Sequence, residues 1–346
     1  MVGGDDTDRR HEHDGAVAHV LTRAYGLETP RTRLLNRESV NSVWRVDTPD
    51  GRYALKRLGR TVTPAWLAFE SVAMSRIAAE IPVSLPVLTL TGASSAAYDG
   101  STWQLRPWRL GRPFDSTRLD DIERAGTFMS SLHGIPVEGM PADGHCSTRN
   151  LEFWIGTQRP LHTVLDEVDE ITAPYAGAAV RAAARRAYSG VLLRARTELA
   201  GYADLPEVLT HGEVAGSNLL YREDGELECV LDWDALQLRS RVYDIARALL
   251  FLPRRGRSGG FQVVPDRAKA VLDAATTHQR LTLDELKALI PVLELNFVPS
   301  PDYLRQIVRH TPGIVEWYLG WRAEGAATVR DILSPLVNTA GRRTAP

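Results

Sequence analysis

The sequence predicts an α+β chain, a small antiparallel β-sheet lobe followed by a larger, mainly helical lobe. Three observations predict it. Before residue 107, short runs rich in Val, Trp and Leu alternate between turn signals. From 117 onward, apolar residues recur at helical spacing over long stretches. Between them, Pro107 to Pro113 gathers Pro and Gly at one place, as a boundary between lobes does. The resulting division is a tail over 1–14, lobes over 15–108 and 109–338, and a second tail over 339–346.

Residues 1–14 are polar and charged, which predicts disorder, and His11 and His13 are expected to be tail residues rather than metal ligands. A short helix follows over 15–26. Val40 to Val46 reads as a strand, Thr48-Pro49-Asp50-Gly51 as a turn, and Arg52 to Leu58 as the returning strand of a hairpin. Residues 64–79 place Trp66, Leu67, Phe69, Ala73, Met74 and Ile77 on one helical face, and Ile81-Pro82 ends that helix. Strands are expected near 86–90 and over 101–107. Helices then cover 117–133, 161–171, 175–200, 264–276, 282–296 and 313–334. One β-rich island interrupts them at 207–234, with Leu219 to Tyr221 and Leu227 to Leu231 as a hairpin around Glu223-Asp224-Gly225.

Composition narrows the function classes. The formal net charge of −2 offers no global attraction to nucleic acid or to an acidic membrane. Runs of about 18 apolar residues are absent, and the first residues lack the apolar core of a secretory signal. The two cysteines, Cys146 and Cys229, form no C-x-x-C pair. A cytoplasmic enzyme acting on a small molecule, as a monomer or homodimer, is the expectation. The G-x-G-x-x-G and G-x-x-x-x-G-K phosphate loops and the G-x-S-x-G elbow are all missing.

The island carries a candidate chemistry. Glu213 sits in the turn after a short strand, Asn218 enters the next strand, and Asp232 ends the strand after that. A hairpin brings Asn218 and Asp232 to one edge, where an amide and a carboxylate supply the oxygen ligands that Mg2+ takes. Glu213, in the loop before Asn218, faces a substrate.

The segment LTHGEVAGSNLLY, then CVLDWD, then VYDIARAL resembles the aminoglycoside phosphotransferase and choline kinase family, whose fold is bilobal and protein-kinase-like. The family's H-G-D-x-x-x-x-N, D-W/L-D/E/G and Y-D-x-A positions read here as His211-Gly212-Glu213 to Asn218, Asp232-Trp233-Asp234, and Tyr243-Asp244-Ile245-Ala246. The resemblance implies an ATP-dependent phosphotransferase acting on a hydroxyl of a small molecule: an aminoglycoside-like antibiotic, an amino alcohol or a sugar. It implies that Asn218 and Asp232 hold Mg2+ and that Glu213 orients or deprotonates the acceptor. Asp234 is either a second metal ligand or a turn carboxylate. His211 and Asp244 support the loop, Asp244 as the N-terminal cap of a helix over 245–251. In the first lobe, a five-stranded sheet with one helix is implied. Lys56 reaches the α- and β-phosphates, Glu70 is its ion-pair partner, and Asn41 is the surviving Asn of the phosphate-covering loop. Ile81-Pro82-Val83 with Pro86-Val87, and Leu132-His133, match the family as well.

Two positions depart from the pattern. Glu213 replaces the family's catalytic Asp, adding a methylene that displaces the carboxylate by about 1 Å, a shift able to cost on the order of 10²-fold in rate. The loop Asn36 to Ser42 contains no glycine and carries Glu38 where phosphates are expected. These departures favour one alternative: a kinase-fold protein lacking phosphotransfer, acting as a binding protein or catalysing another transfer. Of the remaining signals, Trp103, Trp108, Trp317 and Trp321 are expected as core or pocket wall, and Arg254 to Arg257 as a basic surface loop. Asp166, Glu167, Asp169 and Glu170 are expected as a solvated helix face rather than a cation-attracting patch.

Overall fold

The structure, a computed structural model, describes residues 5–28, 30–36, 41–58, 62–144, 150–255 and 261–342, with side chains described from 15 to 339. Glu38, Cys146, Gly256, Arg257 and the side chains of His11 and His13 lie outside the described residues. The chain divides into two compact units, one of Met1–Ala78, Val83–Leu110 and Met140–Cys146, the other of Ala79–Pro82, Gly111–Gly139 and Ser147–Pro346.

The first unit is a five-stranded antiparallel sheet with two helices. In chain order it comprises α1 (Asp5–Tyr25), β1 (Arg31–Asn36), β2 (Ser42–Thr48), β3 (Gly51–Leu58), α2 (Pro64–Glu80), β4 (Ala96–Tyr98) and β5 (Ser101–Pro107), with strand order β1-β2-β3-β5-β4. The expected hairpin is β2–β3, in the register Val43↔Lys56 and Thr48↔Gly51. Three expectations are corrected. The helix expected over 15–26 is α1 and starts earlier, at Asp5, inside the stretch expected as a tail; with α2 it gives the sheet two helices where the family resemblance implies one. Residues 86–90 form no strand; they run extended instead, Val87 N–H donating to Leu105 O at 2.7 Å and Leu90 N–H to Ala24 O at 2.8 Å. The fourth strand is β4, joined to β5 by Asp99-Gly100, both with positive φ (49° and 64°), as a tight hairpin turn of that type requires.

Helix α1 is in the fold for a physical reason. Val17, Val20, Leu21 and Tyr25 are buried against Trp44, Val46, Leu55, Trp103 and Leu105 of the sheet. The Tyr25 hydroxyl donates to Trp103 O (3.3 Å) and accepts from Leu105 N–H (3.2 Å), which pins the helix end to β5. Helix α2 begins with Pro64 in its first turn and Thr63 Oγ1 accepting from Trp66 N–H at 3.1 Å. It buries Trp66, Phe69, Ala73, Met74 and Ile77, as the apolar spacing predicts.

The second unit contains β6 (Arg112–Pro113), α3 (Leu119–His133), α4 (Asn150–Gly156), α5 (Leu161–Thr172), α6 (Ala178–Glu198), β7 (Glu207–Thr210), β8 (Leu219–Tyr221), β9 (Leu227–Val230), β10 (Gln237–Ser240), α7 (Arg241–Phe251), α8 (Pro265–Ala275), α9 (Leu283–Leu295), α10 (Pro301–His310) and α11 (Val315–Arg342). Helix α11 runs on past 339, so the closing segment expected as a tail is helical to Arg342. Local capping explains the ends: Thr282 and Glu285 form a reciprocal capping box on α9, and Ser300 accepts from Tyr303 N–H at the start of α10. Helices α3 and α8 approach so closely that a Cβ on Gly126 would lie 2.5 Å from the Ala274 Cβ. Among the described residues no helix is long and apolar enough to cross a membrane.

Candidate active site

The site in the second unit grows from a narrow neck. Strands β7 and β10 pair antiparallel from Thr210↔Gln237 to Ser240↔Glu207, and Thr210 Oγ1 donates to Gln237 O at 3.1 Å. Between these strands the chain makes its excursion through 211–236. The first turn, His211-Gly212-Glu213, depends on glycine. Gly212 has φ +78°, and a Cβ there would lie 2.5 Å from the Ala235 carbonyl oxygen. His211 is wholly buried. Its Nε2 pairs with Leu231 O (2.9 Å), and its Nδ1 accepts from Glu213 N–H (3.2 Å), a pattern met by the tautomer carrying its proton on Nε2.

Asp244 holds this turn from beneath. It is no helix cap, since Ser240 caps α7; it lies in the first turn of that helix, fully buried. Its two carboxylate oxygens accept from His211 N–H and Gly212 N–H, each at 2.7 Å, and His133 Nε2 at the end of α3 lies 3.3 Å away. Burial pushes the Asp244 carboxyl up, but the His133 hydrogen bond, the imidazoles of His133 and His211 and the Gly212 N–H outweigh it and hold the group below the usual carboxylate range.

Asn218 and Asp232 come together as the hairpin predicts. Asn218 ends a 3-10 turn (Gly216–Asn218) immediately before β8. Its carbonyl accepts from Leu231 N–H at 2.8 Å, continuing the β8–β9 ladder past Leu219↔Val230, so Asn218 stands opposite the residue that precedes Asp232. The Asn218 side-chain amide donates to the Glu213 carbonyl at 3.0 Å, which ties the His211-Gly212-Glu213 turn to the same edge. Asp232 adopts the left-handed conformation, φ 62° and ψ 62°. For a residue other than glycine this costs on the order of 1–3 kcal/mol and persists only where the surroundings enforce it. Trp233 enforces it here, its Nε1 donating to Val230 O at 3.0 Å and its ring 4.6 Å from that of His211. Asp234 lies in the 3-10 turn Trp233–Ala235 that follows.

These donors fit a hard divalent cation. The Asn218 amide nitrogen is committed to the Glu213 carbonyl, its oxygen accepts at 3.4 Å from the Ser217 hydroxyl, and Asp232 adds a carboxylate; an amide oxygen and a carboxylate are ligands of the kind Mg2+ takes. Among the described residues no three His, Cys, Asp or Glu side chains converge on one point, so the set is an amide with carboxylate rather than a protein cage.

Sequence reasoning missed one neighbour. Arg247, one turn along α7 from Tyr243, brings a guanidinium nitrogen to 3.7 Å from the Glu213 carboxylate and stacks over the Phe251 ring at 4.7 Å. A lone arginine in the otherwise apolar run IARALLF was the available signal. The Glu213 side chain keeps 44% of its exposure and Arg247 only 13%.

In the first unit, Lys56 sits in β3 with Val43 and Gln104 as its cross-strand neighbours. Gln104 donates to the Glu70 carboxylate at 2.7 Å, and Arg106 pairs with that carboxylate at 2.7 Å. Glu70 is buried in α2, and Gln104 and Arg106, on the strand β5 beside Lys56, are among its partners. Asn41 precedes β2, with Asn36 Oδ1 accepting from Val43 N–H at 3.0 Å close by.

The acidic face is a paired surface. Asp166 meets Arg185 at 2.7 Å, Asp169 meets Arg181 at 3.5 Å, and Glu167 is shared by Arg159 and Arg305.

The model of the "Phosphotransferase enzyme family" matches residues 31–283. No curated protein matches the chain. Among solved structures, a microcompartment-associated aminopropanol kinase is similar with a TM-score of 0.68 at 18% identity, over 94% of this chain and 99% of that one. Amicoumacin kinase in complex with AMP-PNP, Ca2+ and amicoumacin gives 0.59 at 13% identity over 99% and 97%. An aminoglycoside phosphotransferase from Alicyclobacillus acidocaldarius gives 0.55 at 16% over 95% and 96%. At such identities the likeness is one of fold.

Proposed function

The chain belongs to the phosphotransferase enzyme family, and from that membership we propose that it transfers the γ-phosphoryl group of ATP to a hydroxyl of a small molecule. The observation that carries the proposal is the edge where Asn218 and a backbone-strained Asp232 meet the Glu213 turn.

Phosphoryl transfer passes through a loose transition state, so catalysis rests on positioning and charge. The acceptor oxygen forms a bond to the γ-phosphorus, the bond from that phosphorus to the bridging oxygen breaks, and ADP leaves. The acceptor proton passes to the Glu213 carboxylate. Asn218 and Asp232 hold Mg2+, which when bound neutralises charge on the phosphate oxygens. Lys56 supplies the cation for the α- and β-phosphates. Glu70, held by Gln104 and Arg106 on β5, orients Lys56 on the neighbouring strand β3. Asp244 and Gly212 keep the Glu213 backbone in place.

The longer Glu213 side chain brings its carboxylate to 3.7 Å from the Arg247 guanidinium, which favours its charged form. The alternative, a kinase fold that only binds, predicts that ATP and Mg2+ stabilise the protein without turnover. An ADP-release screen over hydroxylated metabolites and antibiotics tests the proposal. Asp232→Ala should abolish turnover, and full turnover in that variant refutes the assignment.

A further inference from the structure

One face of α7 and its extension is partly exposed where the rest is buried. From 241 to 254, every residue is buried except Tyr243, Arg247, Phe251 and Arg254. Their spacing of four, four and three puts them on one stripe of the helix. The stripe starts beside Glu213, through Arg247, and runs to an aromatic wall formed by Trp321 and its stacked, half-exposed neighbour Trp317. Tyr303 and Tyr318 lie within electrostatic reach of Arg247.

This wall is already occupied by cations. Arg247 covers Phe251 at 4.7 Å, Arg254 covers Phe251 and Trp321 at 5.0 Å each, and Arg322 covers Tyr318 at 4.3 Å and Tyr303 at 5.7 Å. An ammonium acceptor would use just such ring faces, and here it would meet arginines instead. Two of these guanidiniums, those of Arg247 and Arg322, also carry a buried Nε with no hydrogen-bond partner among the described residues. Buried donors of that kind are normally satisfied, and a guanidinium offers only donors, so the missing partner is an acceptor atom. The acidic face that might have drawn a cation is neutralised by its own arginines.

Resting on the phosphotransferase reading, we infer that the acceptor is a hydroxylated organic acid: its anionic group is held by Arg247 and its hydroxyl is presented to Glu213. Arg247 is thus a specificity-determining residue. It is set between two carboxylates, one of the enzyme and one of the substrate, and its fork fits planar carboxylates in pairs.

The test is a matched panel: glycerate and 3-phenyllactate, their amides, and the corresponding amino alcohols. Each is measured by thermal shift in the presence of ATP and Mg2+ and by ADP release. The acids should stabilise and turn over best. Arg247→Leu, which keeps the packing on Phe251, should raise KM for the acids about 10- to 100-fold while leaving KM for ATP within about twofold. Arg247→Lys should recover part of the loss. Preference for the amino alcohols, equal binding of the acids by the Arg247→Leu protein, or no effect of any acid while ATP still stabilises the protein would each overturn the inference. Loss of the ATP response in the unaltered protein instead removes the phosphotransferase reading beneath it.

Discussion

The residue that matters most to the site touches no substrate. Asp244 accepts from two backbone N–H groups of the acceptor turn and meets His133. Replacing it with Ala leaves three buried polar groups without a partner, at about 1–3 kcal/mol for each group left unsatisfied. Asp244→Ala should therefore lower the urea midpoint sharply and, in the fraction that still folds, lower kcat more than KM for ATP. Because its folded carboxyl sits below the ordinary value, its contribution is complete above about pH 4 and is lost as pH falls through the folded value. Asp244→Asn should flatten that acid limb in a series of urea midpoints against pH. At the neighbouring turn, Glu213→Ala should cost about 10²- to 10⁴-fold in ADP release, the ordinary worth of a positioned base. Gly212→Ala should approach the same loss for a steric reason, since its Cβ has no room beside Ala235.

At the scale of elements, what was legible followed from local rules. The run from His211 to Asp232 announced its turns and strands because spacing alone places Asn218 against Leu231. The α2 face was legible because its apolar residues share one side. Two elements were placed incompletely, for different reasons. Helix α1 was expected only from residue 15, because its first turns are charged and composition argued against them, although the helix runs from Asp5. The β4–β5 hairpin was misplaced although Asp99-Gly100 is a strong turn signal, because the apolar residues of 86–90 drew attention to a segment that pairs only at isolated positions. The role of Asp244 was half legible: its motif marked it as structural, but its partners lie on α3 and the 211–212 turn, far along the chain. Packing between elements also yields a prediction. Gly126→Ala improves helix propensity by about 1 kcal/mol. Yet it forces α3 from α8, where its Cβ would meet Ala274 and the backbone of Val271 and Ala275. The net change in a urea titration should be destabilising, by about 1–3 kcal/mol.

For the whole molecule, the measurable statement is linkage. If ATP and Mg2+ bind the native chain, a hundredfold excess over Kd stabilises it by about 2.7 kcal/mol, readable as a rise of several degrees in Tm. Asp232→Ala should lose most of the magnesium-dependent part of that rise, and Lys56→Ala should lose part of the nucleotide response without magnesium. A flat response in the unaltered protein at millimolar ATP leaves the binding-only alternative without its nucleotide as well.

The four paired positions of β7 and β10 carry one more consequence. They bring the two ends of the 211–236 excursion side by side, closing it at its base, while Asp244 and Arg247 of α7 hold its first turn from the side. Closure at the base lowers the entropy lost in ordering the loop, so a side chain lengthened inside it is borne by the loop's own neighbours and not by the strands that carry it.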